Sequence, residues 1–168
     1  MNILKSLFKQ SPAIASKTTS KREGWAYIDV RDKDGNLKES RIVKNLITNA
    51  GLKGAADRLG GISAAAFTYL ALGTGTTAAA AGNTALETEL STLGLSRVNA
   101  TVAAVTTTVT DDTLQLSNTF TVTGTAAVTE AGILNAGSGG TLLSRLVFSA
   151  VNVINGDSLT VTYKIIHT

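Results

Sequence analysis

The sequence predicts a mainly β protein: an antiparallel β-sandwich or jelly-roll-like domain with one or two short helices and an extended N-terminal arm. Three observations carry this expectation. Leu159, Val161, Tyr163 and Ile165 alternate with Ser158, Thr160, Thr162 and Lys164, the period of two of a strand with one dry and one wet face. Ala-Gly-Ser-Gly-Gly at 136–140 and Asn-Gly-Asp at 155–157 punctuate such runs with residues that tolerate tight turns. Helical spacing is confined to short stretches. The chain divides into a basic arm, 1–22, and a single β-rich domain, 23–168, made of a hairpin (23–47), a short helix (48–60) and the main sheets (67–168).

Taken in order, Trp25 to Asp32 and Ser40 to Leu46 flank Lys33-Asp34-Gly35-Asn36, a hairpin signal in which Asp-Gly suits a type I′ turn. Thr48 to Leu59 places Leu52, Ala55, Ala56 and Leu59 three and four apart, after a capping Thr48 or Asn49 and before Gly60-Gly61; this is an amphipathic helix. Gly51 and Gly54 weaken it, so packing must hold it. Phe67 to Leu72 is a strand followed by a loop at 73–82. Asn83 to Leu93 fits two forms, a second helix with Leu86, Leu90 and Leu93 on one face or an extended loop crossing the sandwich. From Val98 to Val109 the apolar phase changes sides, which a bulge or a bend onto a second sheet reconciles. Asp111-Asp112 turns the chain into a strand with Leu114, Leu116, Phe120 and Val122 on one face, interrupted by Asn118. Val128 to Ile166 reads as three strands joined by the two glycine-containing turns, hence as hairpin-built antiparallel sheet.

The 168 residues contain no cysteine, which excludes disulfides and thiolate metal sites. A chain of this length buries about 70% of its unfolded surface, enough for a core without staples. Aromatic residues make up only 5%, so alanine, threonine, valine and leucine must form a thin core that gains from burying further surface against a neighbour. No apolar run reaches the ~20 residues that span a bilayer, and Met1 to Gln10 lacks the pattern of a cleavable secretory signal.

Charge is polarised. Residues 1–58 hold 12 Lys/Arg and 6 Asp/Glu, whereas 59–168 hold 3 and 6. The arm carries Lys5, Lys9, Lys17, Lys21 and Arg22 with no acid, and Ile3, Leu4, Leu7 and Phe8 form an apolar stripe at helical spacing before Pro12. These nine residues are the candidate partner-binding set: an anchor for a neighbour's groove or an acidic surface.

Sites of chemistry are sparse. The one histidine, His167, is penultimate, a poor place for a catalytic base and insufficient for a histidine metal cluster. Asp111-Asp112 suits a turn, and Glu87 and Glu89 diverge, so no acid pair for glycoside hydrolysis emerges; nothing resembles an EF-hand loop. Gly73-Thr-Gly-Thr-Thr77 lacks the lysine of a phosphate loop and reads as a surface turn. Trp25 and Tyr27 share a strand face near Lys21, Arg22 and Arg31. Stacking on single-stranded nucleic acid uses such interleaving, but two aromatics without an arginine-rich run favour core or interface packing. The reading is a non-enzyme without catalytic, cofactor or metal residues.

Several blocks occur in order: Phe67-Thr-Tyr-Leu-Ala-Leu-Gly-Thr-Gly-Thr-Thr77, Asn83-Thr-Ala-Leu-Glu-Thr-Glu89, Val128-Thr-Glu-Ala-Gly-Ile-Leu-Asn-Ala136, Gly140-Thr-Leu-Leu-Ser-Arg145 and Phe148-Ser-Ala150. Together, over about residues 45–166, they resemble a family of tailed-bacteriophage virion proteins whose genes are labelled tail-fibre-like or structural. The resemblance implies a β-rich structural module and transfers no catalytic motif. Within these blocks, Glu130 and Arg145 fall within one residue of register about the centre of 136–140, and a cross-strand ion pair between them is expected. Two roles follow. One is a capsid decoration (cement) protein, favoured as a homotrimer, whose β-domain and arm bind the major capsid protein or other virion proteins. The other is a tail, collar, baseplate or fibre component, with host attachment through a glycan as one form. Nucleic acid and membrane are not expected partners.

Overall fold

The computed structural model describes residues 22–62 and 65–167. They form two five-stranded antiparallel sheets and one helix: β1 Arg22–Arg31, β2 Leu37–Lys44, β3 Leu46–Ile47, α1 Asn49–Leu59, β4 Tyr69–Gly73, β5 Val98–Asn99, β6 Thr101–Val105, β7 Thr113–Thr121, β8 Ala126–Leu134, β9 Leu142–Val153 and β10 Ser158–His167. One sheet runs β2-β1-β10-β7-β6 and the other β3-β9-β8-β4-β5. This is a β-sandwich.

The alternation read in the sequence sets the central core. Ala26, Ile28 and Val30 of β1, Leu116 and Phe120 of β7, and Leu159, Val161, Tyr163 and Ile165 of β10 point inward from the first sheet. Val128, Ala131, Ile133, Leu146, Val151 and Val153 meet them from the second. The two sheets are joined at both edges, because edge strands change sheets. β2 runs through Asn45 into β3, and β5 through buried Ala100 into β6. The phase change after Val98 is thus the bend onto a second sheet. Similarly, the presumed hairpin 23–47 ends by leaving its sheet, and Asn155-Gly156-Asp157 carries the chain from β9 in one sheet to β10 in the other. Of the two glycine-containing turns after Val128, only 135–141 closes a hairpin. Local alternation marks strands but is silent on which sheet each one joins.

The turn after β1 differs from the type I′ expectation. Gly35 alone has positive φ, +85°, and its N–H donates to the Asp32 carbonyl at 3.0 Å; a type I′ turn needs positive φ at both central residues. The Asp32 carboxylate accepts from the amides of Asp34 and Asn36, both at 2.9 Å, and so stabilises the longer loop instead.

Helix α1 starts at Thr48, whose hydroxyl oxygen accepts from Gly51 N–H at 2.9 Å while its O–H donates to the Leu142 carbonyl. The apolar face differs from the predicted one. Leu52 and Leu59 are exposed, and the buried helix residues are Gly51 and Gly54. A Cβ on Gly51 would lie 2.1 Å from the Leu143 carbonyl oxygen, and one on Gly54 2.7 Å from Phe67 Cζ. The helix lies backbone-close on β9, and its missing side chains define its inner face.

Residues 83–93 form no helix. The connection from β4 to β5 crosses the outer face of the second sheet as an extended strap, with a single bridge between Gly73 and Glu89. Under it lies a second small core of Ala71, Leu86, Leu134 and Leu142. Leu86 is buried beneath the strap, whereas Leu90 and Leu93 pack against the central core, so the three leucines do not share one helical face. β8 is therefore buried on both faces from Val128 to Leu134, which explains a strand carrying glutamate and glycine in an otherwise dry position.

Candidate functional site

The described surface carries its main apolar concavity where the arm joins the domain. Arg22 is the first residue of β1, paired with His167 of β10, so it belongs to the sheet and not to the arm. Ile3, Leu4, Lys5, Leu7, Phe8, Lys9, Lys17 and Lys21 lie outside the described residues. Beside Arg22 a groove of about 300 Å³ opens between the sheets and α1. Phe67, Leu143 and Ile165 form its buried floor, and Ala55, Leu59 and Val102 its walls. Leu59 is 81% exposed and Val102 42%. The fold produces this opening for a local reason: α1 is held to β9 by glycines, so Leu59 stands at the rim instead of filling the gap.

The polar edge is built from β1, β10 and the loop before β7. Arg22 Nε donates to His167 Nδ1 at 3.3 Å, and His167 N–H donates to the Asp112 carbonyl at 3.0 Å. Partial burial and the neighbouring Arg22 charge lower the His167 pKa, against an opposing pull from Asp112. The Asp112 carboxylate accepts from the amides of Thr107, Thr108 and Val109 and from the Thr113 hydroxyl. Those bonds, that from Val109 foremost, hold its pKa far below the usual carboxylate range. Its oxygens are occupied by the loop. A second depression next to the groove shares Val102, Leu114 and His167 and is bordered by Asp111 and Asp112.

A second constellation lies under the strap. Glu130 and Arg145 are brought together at 2.8 Å, and both are buried. Their register is two residues from direct opposition: Glu130 faces Val147, and Arg145 faces Gly132. They are diagonal neighbours on one face, and a Cβ on the intervening Gly132 would press on Leu86, Leu142 and the Ser144 carbonyl. Glu130 also accepts from the amides of Gly75 at 3.0 Å, Glu87 at 3.0 Å and Thr88 at 2.7 Å. Arg145 reaches Glu87 at 3.3 Å and the Asn83 side-chain oxygen at 3.2 Å. Gly73 and Gly75, expected in a surface turn, are buried against Glu130, and a Cβ on either would come within 2.6 Å of its Oε1. Further along, Arg97 joins Glu89 and the carbonyls of Ala136 and Gly139. These charges brace the strap internally and hold it to the sheet and to the turn between β8 and β9. Sequence spacing exposed the Glu130–Arg145 relation, but the bonds to the strap could not be found that way, since they depend on where a loop without periodicity crosses.

Trp25 and Tyr27 lie on the outer face of the first sheet, so the core alternative is corrected. Tyr27 is 39% exposed, and the ammonium groups of Lys44 and Lys164 stand 5.5 and 5.4 Å from the Trp25 and Tyr27 ring centroids. Among the described residues no group of three or more His, Asp or Glu is placed to hold a metal ion, and no helix is long and apolar enough to cross a membrane. No protein-family model, curated protein or solved structure matches the chain.

Proposed function

We propose that this protein is a non-enzymatic structural component of a tailed-bacteriophage virion, a capsid decoration protein that binds the shell through its β-domain and arm, most simply as a homotrimer. The observation that carries the reading is the apolar groove at the root of a basic, amphipathic arm. It supplies an attachment point beside a segment able to reach a neighbour. The virion resemblance supports it from another side. Its blocks fall on β4, the strap, β8 and β9, which form one continuous unit whose charges fasten one part of the scaffold to another. A sandwich stiffened in this way suits a molecule that must add contact area and rigidity, and repeated copies turn weak contacts into firm attachment through avidity.

The test is quantitative mass spectrometry of purified virions, with binding of the isolated protein to capsids lacking it. Decoration predicts many copies, scaling with the shell area, and loss of capsid binding in a folded variant that starts at Arg22. A copy number matching the tail's symmetry would transfer the protein to the tail, collar, baseplate or fibre. Undiminished capsid binding without the arm would remove the arm from the attachment.

A further inference from the structure

We infer that the groove beside Arg22 receives the loop at 106–111 of a second copy of this chain, with Val109 seated on the apolar floor and Asp111 set against the arginines. The floor is the core itself, Phe67, Leu143 and Ile165, left open at one end of the sandwich. Such an opening gains from an apolar side chain placed in it. Its charge narrows the choice of occupant. Arg22 and Arg58 line it, and none of its described lining residues is an acid, so the fitting occupant carries an apolar side chain with a carboxylate close by. Its volume of about 300 Å³ stands at the lower end of the range for bound groups, roughly 300–1,000 Å³, and suits the tip of a loop.

The loop between β6 and β7 presents that pair. Val109 is 66% exposed and does not line its own chain's groove. Asp111, two residues on, is exposed as well. Both are held firmly. The Asp112 carboxylate takes the amides of Thr107, Thr108 and Val109, while the Asp112 amide donates to the Val109 carbonyl and the Asp111 amide to the Thr106 hydroxyl, each at 3.2 Å. That cage occupies the charge of Asp112 and leaves Asp111, in the left-handed region at φ +59°, as the acid at the surface. A loop fixed before it binds has little ordering left to do. Asp111 also borders the depression that shares Val102, Leu114 and His167 with the groove, so loop and groove stand side by side at one end of the sandwich. Every copy thus carries both halves of the contact. Passed from copy to copy, a contact between two different patches can close a ring, which supplies the homotrimer proposed above with an interface. The contact rests on that homotrimer and not on a virion role.

Mixing of complementary full-length variants, followed by sedimentation velocity, tests it. Val109→Lys spoils the loop, and Val102→Glu, on the groove wall, spoils the groove. Both positions are exposed, and circular dichroism verifies that each variant is folded. The parent should associate, more so as its concentration rises. Each variant alone should have its dissociation constant raised about tenfold or more, as for a side chain at the centre of an interface. Asp111→Asn keeps a residue that tolerates the left-handed backbone and removes only the charge; it should weaken association by a smaller factor, and no effect would overturn the place given to Asp111. An equimolar mixture of the two defective variants should associate again, at least into pairs, because one copy's unaltered loop meets the other's unaltered groove. A parent chain that stays monomeric up to about 1 mM would overturn the contact and the homotrimer together. Loop and groove variants that associate as the parent does, or that stay apart when mixed, would overturn this contact and leave the homotrimer to another surface.

Discussion

At the residue scale the deciding pair is Glu130 and Arg145. Two charges removed from water are tolerated only when their remaining hydrogen-bonding capacity is filled, and here the carboxylate takes three amides besides the guanidinium. Deleting one partner leaves the other buried and uncompensated. Arg145→Met should therefore lower unfolding free energy by about 3–5 kcal/mol, or roughly 2–4 °C of Tm for each kcal/mol. Glu130→Gln should also destabilise, and the double variant should lose clearly less than the sum of the two, because the stranded charge is gone. Urea unfolding of the four proteins checks this; additive losses would mean that the two groups act independently. The pairing of strands was legible, but the expected register, one residue from opposition, would set the two on opposite faces; the shift between Ile133 and Leu134 brings them to one face. The amides that complete the pair's shell were not legible, since a backbone N–H carries no signature of its own in a sequence.

Elements were legible where a period existed. The alternation of β7 and β10 and the capping Thr48 of α1 stand where the spacing put them. Sense failed in two kinds of place. A strap stapled by buried charge has no period to read, so leucines at helical spacing gave a false alternative at 83–93. In α1 the periodic residues were real, but the buried face belongs to glycines, which a hydrophobic count scores as gaps. This has a measurable consequence with a sign opposite to propensity. In an isolated helix, Gly→Ala stabilises by about 1 kcal/mol. Gly51→Ala should instead destabilise the protein by roughly 1–3 kcal/mol, the usual cost of overpacking, because its new methyl would lie 2.1 Å from the Leu143 carbonyl oxygen. Ala56, exposed on the same helix, supplies the contrast: Ala56→Gly should follow propensity and cost about 1 kcal/mol. Thermal melts of both variants decide it, and a Gly51→Ala protein more stable than the parent would show that the helix is free to stand off from β9.

At the scale of the whole molecule, the two sheets are connected more closely than a stack of two layers requires. The chain passes between them at both edges, through Asn45 and through Ala100, and again between β7 and β8 and between β9 and β10. Arg41 of edge strand β2 also donates to the carbonyls of Ser149 and Ala150 in β9, and Tyr163 of the first sheet accepts from Ser144 of the second at 3.0 Å inside the core. The central core draws on both sheets, and only the small cluster under the strap belongs to the second sheet alone. Separating the sheets would expose each inner face and break these crossings, so a partly folded state keeping one sheet would retain at most that small cluster. Unfolding of the described domain should be a single transition. Leu159→Ala in β10 and Ile133→Ala in β8, both at fully buried positions, should each lower stability by about 2–5 kcal/mol. Each should shift the urea midpoint while leaving the denaturant slope unchanged. Near- and far-ultraviolet circular dichroism should follow one curve in both variants. If Ile133→Ala produced an early transition that left the β1-β10-β7 signal intact, the second sheet and its strap would be a separately folding layer, and the edge crossings would be connections without cooperative weight.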